Sequence, residues 1–401
     1  MPWEARTVRM SRESFIVEVQ AGEKSKSRLC REYGISRVTG DKWLKRCEAG
    51  EVPEDRSRAP FRVANKTPPD QEAKVVSIRD AHPAWGPRKI RQFLINKGES
   101  VPGKTTIGNI LQRNGRISEE ASRAATPYKR FRKENCNEMW QTDFKGHFVM
   151  EDGNRCHPLT VLDDCSRYSL CVDAKENEQR PGVIQSFERI FEQNGLPDSL
   201  LCDNGNPWGA SQSTGYTQFE IWLMERDILP IHGRIRHPQT QGKAERFHKT
   251  MDNEVLRRAE IKNMAHAQRC FDEFRRCYNH ERPHEALGMG VPAIFYRPSS
   301  RRMPQYIEPW EYTSDCVLRR IKSTGYVTFM GQGYFLSEAF GGTDIAIRES
   351  SVEGCYNILF RGFRVARINA RERALVSKRI FRSESPETAE STRLAAPPEI
   401  E

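Results

Sequence analysis

WQTDFKGHFVM, residues 140–150, is the stretch from which the fold is read. Its opening half is an apolar, strand-like run that carries one acid, Asp143, toward a core. Two more acids stand at comparable places. Asp203 lies in LLCDNGNPW (200–208), at the end of another apolar run and before an Asn-Gly turn, and Glu245 lies in HPQTQGKAERF (237–247), in the first turn of a helix. Taken singly, Asp203 is an ordinary turn initiator, and Glu245 is an ordinary acid at a helix N-terminus, where the macrodipole favours it. Together they suit two-metal phosphoryl chemistry. Hard cations such as Mg²⁺ take oxygen ligands and keep positions open for substrate, so a few carboxylates gathered from distant segments suffice.

Working outward, CHPLTVLDDCSRYSLCVDA (156–174) and PDSLLCDN (197–204) are strand-rich, whereas RPGVIQSFERIFEQNG (180–195) is an amphipathic helix through Val183, Phe187, Ile190 and Phe191. Strands and helix in this order predict an α/β core over 138–290. In the helix that carries Glu245, the residues Ala244, Phe247, Met251 and Val255 fall on one face, and Glu245, Lys249 and Asp252 on another at i, i+4 and i+7.

The chain of 401 residues carries +10, unevenly. Residues 1–137 hold 29 Lys and Arg against 17 Asp and Glu, a net +12 that leaves −2 for the rest. A basic front joined to a near-neutral body with an acidic cluster reads as polyanion binding followed by metal chemistry. The front half also has the pattern of two helix-turn-helix modules, over 12–50 and 68–116. In KSRLCREYGISRVTGDKWLKRC (26–47), Leu29, Cys30 and Tyr33 line one helix; Val38, Trp43, Leu44 and Cys47 give the second an apolar side. Ser36 is placed to cap that second helix, and Arg37, Thr39 and Lys42 would face a DNA major groove. The second module has helices on either side of HPAWGP (82–87) and a third with Ile107, Ile110 and Leu111 on its apolar face; Lys89, Arg91 and Lys97 are assigned to a wet side. Gly98 to Thr105 fits a P-loop letter for letter, but a helical pattern precedes it where a P-loop needs a buried strand. The expectation is therefore no nucleotide, with Lys104 and Thr105 contacting DNA phosphate.

Residues 117–137 lack an apolar period and read as a linker; short Gly-punctuated β stretches over 305–380 predict a small β-barrel; 382–401 are polar and Pro-rich and read as a disordered tail. Eleven scattered cysteines without a CxxC pair point to reduced thiols. No apolar run is long enough to span a bilayer, and the N-terminus lacks a signal-peptide core, so no membrane partner and a cytoplasmic, nucleoid-associated location are expected.

WQTDF, LTVLDDCSRY (159–168), LLCDNG, HPQTQGKAERFHKT (237–250) and YNHERPHEALG (278–288), in this order, resemble bacterial insertion-sequence transposases whose core is similar to retroviral integrase. The resemblance implies an RNase H-like catalytic core with an Asp-Asp-Glu triad of Asp143, Asp203 and Glu245. It implies two Mg²⁺ or Mn²⁺ ions on that triad. The implied activity is that of a DNA transposase: recognition of terminal inverted repeats of double-stranded DNA, then strand cleavage and strand transfer into target DNA, by a homo-oligomer. Lys249, with Lys243 and Arg246 as looser contacts, would meet DNA near the cut. The triad departs from the family in one respect: 41 residues separate Asp203 from Glu245, a few more than usual, with the excess assigned to NPWGASQSTGYTQFE (206–220). Asp163 and Asp164 fall outside the triad, with Asp164 expected to order the turn into Ser166 and Arg167. His280, Arg282, Pro283 and His284 read as a helix end with a structural role. A nuclease of the same fold, or a repressor with a silent core, are the alternatives; paired end-recognition modules argue against the first and an intact triad against the second.

Overall fold

The computed structural model describes residues 7–55, 67–117, 133–205, 207–209, 215–233, 242–377 and 380–383. The chain divides into two units, Met1–Lys66 and Thr67–Glu401. Most of the stretch read as a linker and nearly all of the stretch read as a disordered tail lie outside the described residues.

In the first unit Thr7 caps α1 (Val8–Ala21) through its hydroxyl, which accepts from the Met10 amide. Its apolar period is too weak to announce this helix in the sequence. It contributes Phe15 and Ile16 to a small core completed by α2 (Lys26–Glu32) with Leu29 and Cys30 and by α3 (Arg37–Glu48) with Trp43. Ser36 does cap α3, its Oγ accepting from the Thr39 amide at 3.1 Å. Gly40 is where α3 crosses its neighbours: a Cβ there would lie 2.9 Å from Cys30 Sγ and 3.0 Å from the Phe15 ring, so a side chain would push the helices apart. Val38, assigned to the apolar face, is instead 79% exposed, because the inward face of α3 runs through Gly40 and Trp43.

The second unit opens with α4 (Pro69–Ala81), α5 (Pro87–Asn96) and α6 (Lys104–Arg113), closed over Val75, Trp85, Ile90, Leu94, Ile107, Ile110 and Leu111. The P-loop-like string joins two helices, with no strand before it. This three-helix module is fastened to the rest of the unit. Trp85 donates its indole N–H to Glu254 Oε1 (3.1 Å), Arg282 Nε lies 3.4 Å from the same carboxylate, and the Arg258 guanidinium donates to the carbonyls of Asp80 and Ala81. Lys89, assigned to a wet side, is half-buried in this seam because its helix packs there instead of facing water.

The α/β core is built on β1 (Trp140–Phe144), β2 (Phe148–Val149), β3 (Arg155–Asp163), β4 (Ser169–Lys175), β5 (Ser199–Cys202) and β6 (Leu229–His232). Its main order is β4-β3-β1-β5-β6, with β2 paired to the first residues of β3; β1 runs antiparallel to β3 but parallel to β5, and β5 parallel to β6. This is the RNase H-like arrangement that the resemblance implies. Alternation along β3 separates two faces. Leu159 and Val161 meet α7 (Arg180–Asn194) through Val183, Phe187, Ile190 and Phe191. Cys156 and Leu162 meet α9 (Gly242–Met251) and α10 (Met264–His280) through Phe247, Met251, Phe271, Phe274 and Tyr278. The parallel strand β6 is reached through α8 (Gln218–Glu225), and a short α11 (Pro292–Phe295) follows α10.

Beyond residue 316, β7 (Val317–Arg320), β10 (Asp344–Glu349), β11 (Cys355–Phe360), β12 (Phe363–Asn369) and β13 (Ala374–Ser377) form one sheet in the order β13-β12-β11-β10-β7, with β14 (Phe381–Arg382) also on β12. The hairpin β8 (Tyr326–Phe329) and β9 (Gln332–Phe335) is a separate ladder that shares its core, Val327, Phe329 and Tyr334 packing with Ile345, Ile347, Ile358, Phe363 and Val365. The β character is as read, but among the described residues the ladder is open and no closed barrel forms: β7 pairs only with β10, and all four of its residues are exposed.

Glu254 tests the seam. Glu254→Ala leaves Arg282, 7% exposed, without its carboxylate and the Trp85 indole without an acceptor. Breaking a buried pair from one side costs about 3–5 kcal/mol, so the chemical-denaturation midpoint of the second unit should fall accordingly; a wild-type midpoint would mean that the seam contributes nothing.

Candidate active site

Asp143 is the fourth residue of β1, opposite Thr160 of β3. Its parallel neighbour β5 pairs Trp140 with Leu200 and Gln141 with Leu201, and continuing that register by two residues sets Asp143 beside Asp203 at the end of β5. Adjacent strands lie about 4.8 Å apart, so the sheet itself presses two carboxylates together. Glu245 comes from the first turn of α9 and is exposed, as is Asp203, while the Asp143 side chain is 23% exposed.

The electrostatics follow from this crowding. Burial first, and then the neighbouring charges of Asp203, Glu178 and Glu245, push the Asp143 carboxyl up to about 7. His248 stands 3.9 Å from Asp143 Oδ2 but gives no charge to it, because burial, reinforced by Lys145, lowers the imidazole to about 4. Among the described residues, no Lys or Arg is ion-paired with any of the three acids. The chemistry of this set fits divalent cations, which would supply the missing positive charge. The oxygens of all three acids do not come within 4.8 Å of one another; among the described residues only His82, Glu254 and Cys277 meet that criterion. That second cluster sits in the seam, where Arg282 and the Trp85 indole already engage Glu254.

Four further residues hold the acids in place, and none was singled out from sequence. The Thr160 hydroxyl donates to the Asp143 carbonyl (2.9 Å), which leaves its oxygen to accept from His248 Nε2 (2.8 Å) and so ties α9 to β1. On β6, His232 Nδ1 donates to the Asp203 carbonyl (3.0 Å) and Nε2 to Glu220 Oε1 (2.9 Å). Burial opposes the His232 charge, but its partners Cys202 and Glu220 outweigh it and hold the imidazole well above its ordinary range. The only sequence signal for these residues was position: His248 is three residues beyond Glu245, and His232 ends a short apolar run.

The residues assigned to DNA have different fates. Arg246 and Lys249 are exposed on α9 beside Glu245, without an ion pair among the described residues. Lys243 is not free: its ammonium is paired with Asp164, a carboxylate 1% exposed that also accepts from Gln141 Nε2 (2.6 Å). The turn assigned to Asp164 belongs to Asp163, whose Oδ2 accepts from the Ser166 amide (2.7 Å) and hydroxyl (2.6 Å); Asp164 offers Arg167 only its carbonyl. Arg37 and Lys42 are exposed on α3, whereas Thr39 is half-buried in the Ser36 cap, 3.0 Å from its hydroxyl. Lys104 and Thr105 are exposed at the start of α6. Arg282 and His284 are buried, in keeping with a structural role, and His280 is exposed. The segment credited with the extra length includes Trp208, 3% exposed in the α/β core, and Tyr216, whose hydroxyl donates to the Val365 carbonyl of the C-terminal sheet; residues 206 and 210–214 lie outside the described set.

Comparison with known proteins bears on the family and the domains. Residues 134–238 and 226–292 each match an integrase core domain, 39–111 a homeodomain-like domain, and 316–375 the C-terminal domain of IS481 family transposases. An insertion element IS476 protein of Xanthomonas euvesicatoria, described as uncharacterized, is 26% identical over 253 residues, covering 60% of this chain and 69% of that one. An uncharacterized insertion element IS407 protein of Burkholderia multivorans is 24% identical over 159 residues, 40% of this chain and 55% of its own length. The HTLV-2 integrase catalytic core domain, solved in complex with magnesium, aligns with 41% of this chain and 100% of its own at 17% identity and a TM-score of 0.33, too low to place any residue by superposition. Among the described residues no helix is long and apolar enough to cross a membrane.

The raised Asp143 carboxyl has a measurable consequence. Ionising it costs the folded state, a cost absent below about pH 4 and complete above about pH 7. Asp143→Asn should therefore stabilise the metal-free protein at pH 8 by about 1–3 kcal/mol, with the gain shrinking toward pH 4. Thermal unfolding in EDTA across this range is the check, and a variant no more stable than wild type at pH 8 contradicts the crowding.

Proposed function

Because the chain belongs to the insertion-sequence transposases with an integrase-type core, we propose that it is the transposase of a mobile element, which binds the element's terminal inverted repeats and cuts and joins DNA at Asp143, Asp203 and Glu245. One observation carries this reading. The Asp143 carboxylate on β1 feels the charges of Asp203, just past β5, and of Glu245 on α9, beside a neutral His248 and with no Lys or Arg ion-paired with the three acids among the described residues. Asp143 and Asp203 would hold two Mg²⁺ or Mn²⁺ ions between them, and Glu245 would complete the set. When bound, such ions stabilise charge on the phosphoryl oxygens and generate a nucleophile at neutral pH.

The protein's own residues position the reactants. Thr160 and His248 fix Asp143; Glu220 and His232 fix the turn at Asp203; Arg246 and Lys249 hold the DNA backbone beside Glu245. Water attacks a phosphodiester at the element's end and releases a 3′-OH, which then attacks a target phosphodiester in line. Each bond made in the second step replaces one broken, so no nucleotide is consumed. Arg37 and Lys42 on the open face of α3, with Lys104 and Thr105 on α6, supply the end recognition, and joining two ends calls for at least two copies on DNA.

Asp143→Asn, Asp203→Asn and Glu245→Gln should each lower strand cleavage and strand transfer by about 10³-fold or more, while binding to DNA taken from the borders of the element stays within a few-fold of wild type, because affinity resides mainly in the basic modules. Mg²⁺ should raise the melting temperature of the wild type and not of Asp143→Asn. Labelled border DNA with a plasmid target reads the chemistry; near-wild-type transfer by any of the three variants removes that residue from the site.

A further inference from the structure

Between the second helical module and the catalytic helix runs an open groove of about 660 Å³. Three elements build it. The start of α5 gives Arg88 and Lys89, α6 gives Lys104, Asn109 and Gln112, and α9 gives Arg246, the residue next to Glu245. Thr105, Asn109 and Gln112 stand at i, i+4 and i+7, so α6 turns one polar, exposed face into the groove while Ile107, Ile110 and Leu111 anchor its other side in the core of the module.

We propose that this groove is a single DNA-binding site shared by the two domains: α6 presents Thr105, Asn109 and Gln112 to base edges while Arg246 of the catalytic helix, with Arg88 and Lys104, holds the phosphate backbone of the same duplex. It rests on the transposase reading and deepens it, since one chain would then hold a bound end against both its reading helix and its catalytic helix.

The charge distribution favours a polyanion. Arg88, Lys104 and Arg246 have no ion pair among the described residues, and Glu285 is the one carboxylate among the groove's described lining residues. Half-buried Lys89 feels the charges of Arg282 and Arg246, partly offset by Glu285 and Glu254, and couples to the buried His284; burial and then the two guanidinium groups lower its ammonium to about 7. The seam of Trp85, Glu254 and Arg282 thus keeps like charges crowded in the absence of DNA, and a phosphate backbone would relieve them. Amides paired with bidentate geometry read adenine edges, and arginines at the flank take phosphate. A nucleotide pocket would be enclosed and would need a strand before the Gly98–Thr105 turn; this groove is open and its turn follows a helix.

The test uses the full chain and a fluorescent duplex of about 30 base pairs taken from the DNA bordering the element. Binding is followed by anisotropy at about 50 mM salt, and lysine acetylation is mapped by mass spectrometry with and without the duplex. Lys104 should be protected about five-fold or more, while Lys262, which lines no part of the groove, stays reactive. In Arg246→Ala the slope of log affinity against log salt should fall by about 0.9, the value of one lost phosphate contact. A duplex that binds without protecting Lys104, or an unchanged slope in Arg246→Ala, overturns the shared groove, and so does failure of the duplex to bind at all. Cleavage by the same preparations keeps the two readings apart: the triad stands or falls on the carboxylate variants, whose groove is intact, whatever the footprint shows.

Discussion

A carboxylate held beside other carboxylates without a counter-charge is the constraint on which the rest of the core depends. The register of β1 against β5 brings Asp143 next to Asp203, and burial raises the first toward neutrality. Nothing about folding favours this arrangement. It persists because surrounding bonds over-determine it: Thr160 and His248 on one side, His232 and the buried Glu220 on the other. A neutral imidazole beside Asp143 and a charged one bonded to the Asp203 carbonyl divide the work, the first positioning without quenching the charge and the second anchoring the backbone.

Around this centre the second unit is joined by contacts that reach the site's own elements. Glu254 follows α9 by one turn and is where the three-helix module is fastened, so the segment that bears Glu245 also bears the seam. The segment after Asp203 leads in the chain to Tyr216, whose ring sits in the core of the C-terminal sheet, and Ser337 donates to the Tyr216 carbonyl at 2.8 Å. Both neighbours of the core thus attach through segments that follow a site acid in the chain. The segments proposed to bind DNA are thus joined in the chain to the segments proposed to act on it.

Much of this was legible in the residues. Apolar periods mark α3, α5, α6, α7 and α9, and the order of motifs singles out the three acids, because each signal is local and repeats within a few residues. The misreadings share a cause. Val38 was assigned inward since its type is apolar, but Gly40 permits a close helix crossing that turns the face elsewhere. Lys89 was assigned to water, and Lys243 to DNA, since both are charged; one lies in a seam and the other is paired with a buried Asp164, and both partners are distant in sequence. Glu220 and His232 carry no motif at all and acquire a role only when α8 and β6 fold against β5. An open ladder rather than a barrel likewise depends on which strands pair, a long-range choice that alternation within each strand does not encode.

The claim that these three acids form a cation site is tested most directly by crystals of the protein soaked in Mn²⁺, with anomalous scattering recorded at the manganese edge. The account predicts manganese between Asp143 and Asp203, with Glu245 drawn to it, and none of it in the Asp143→Asn variant. Manganese absent from that position, or found instead only at His82, Glu254 and Cys277, would contradict it.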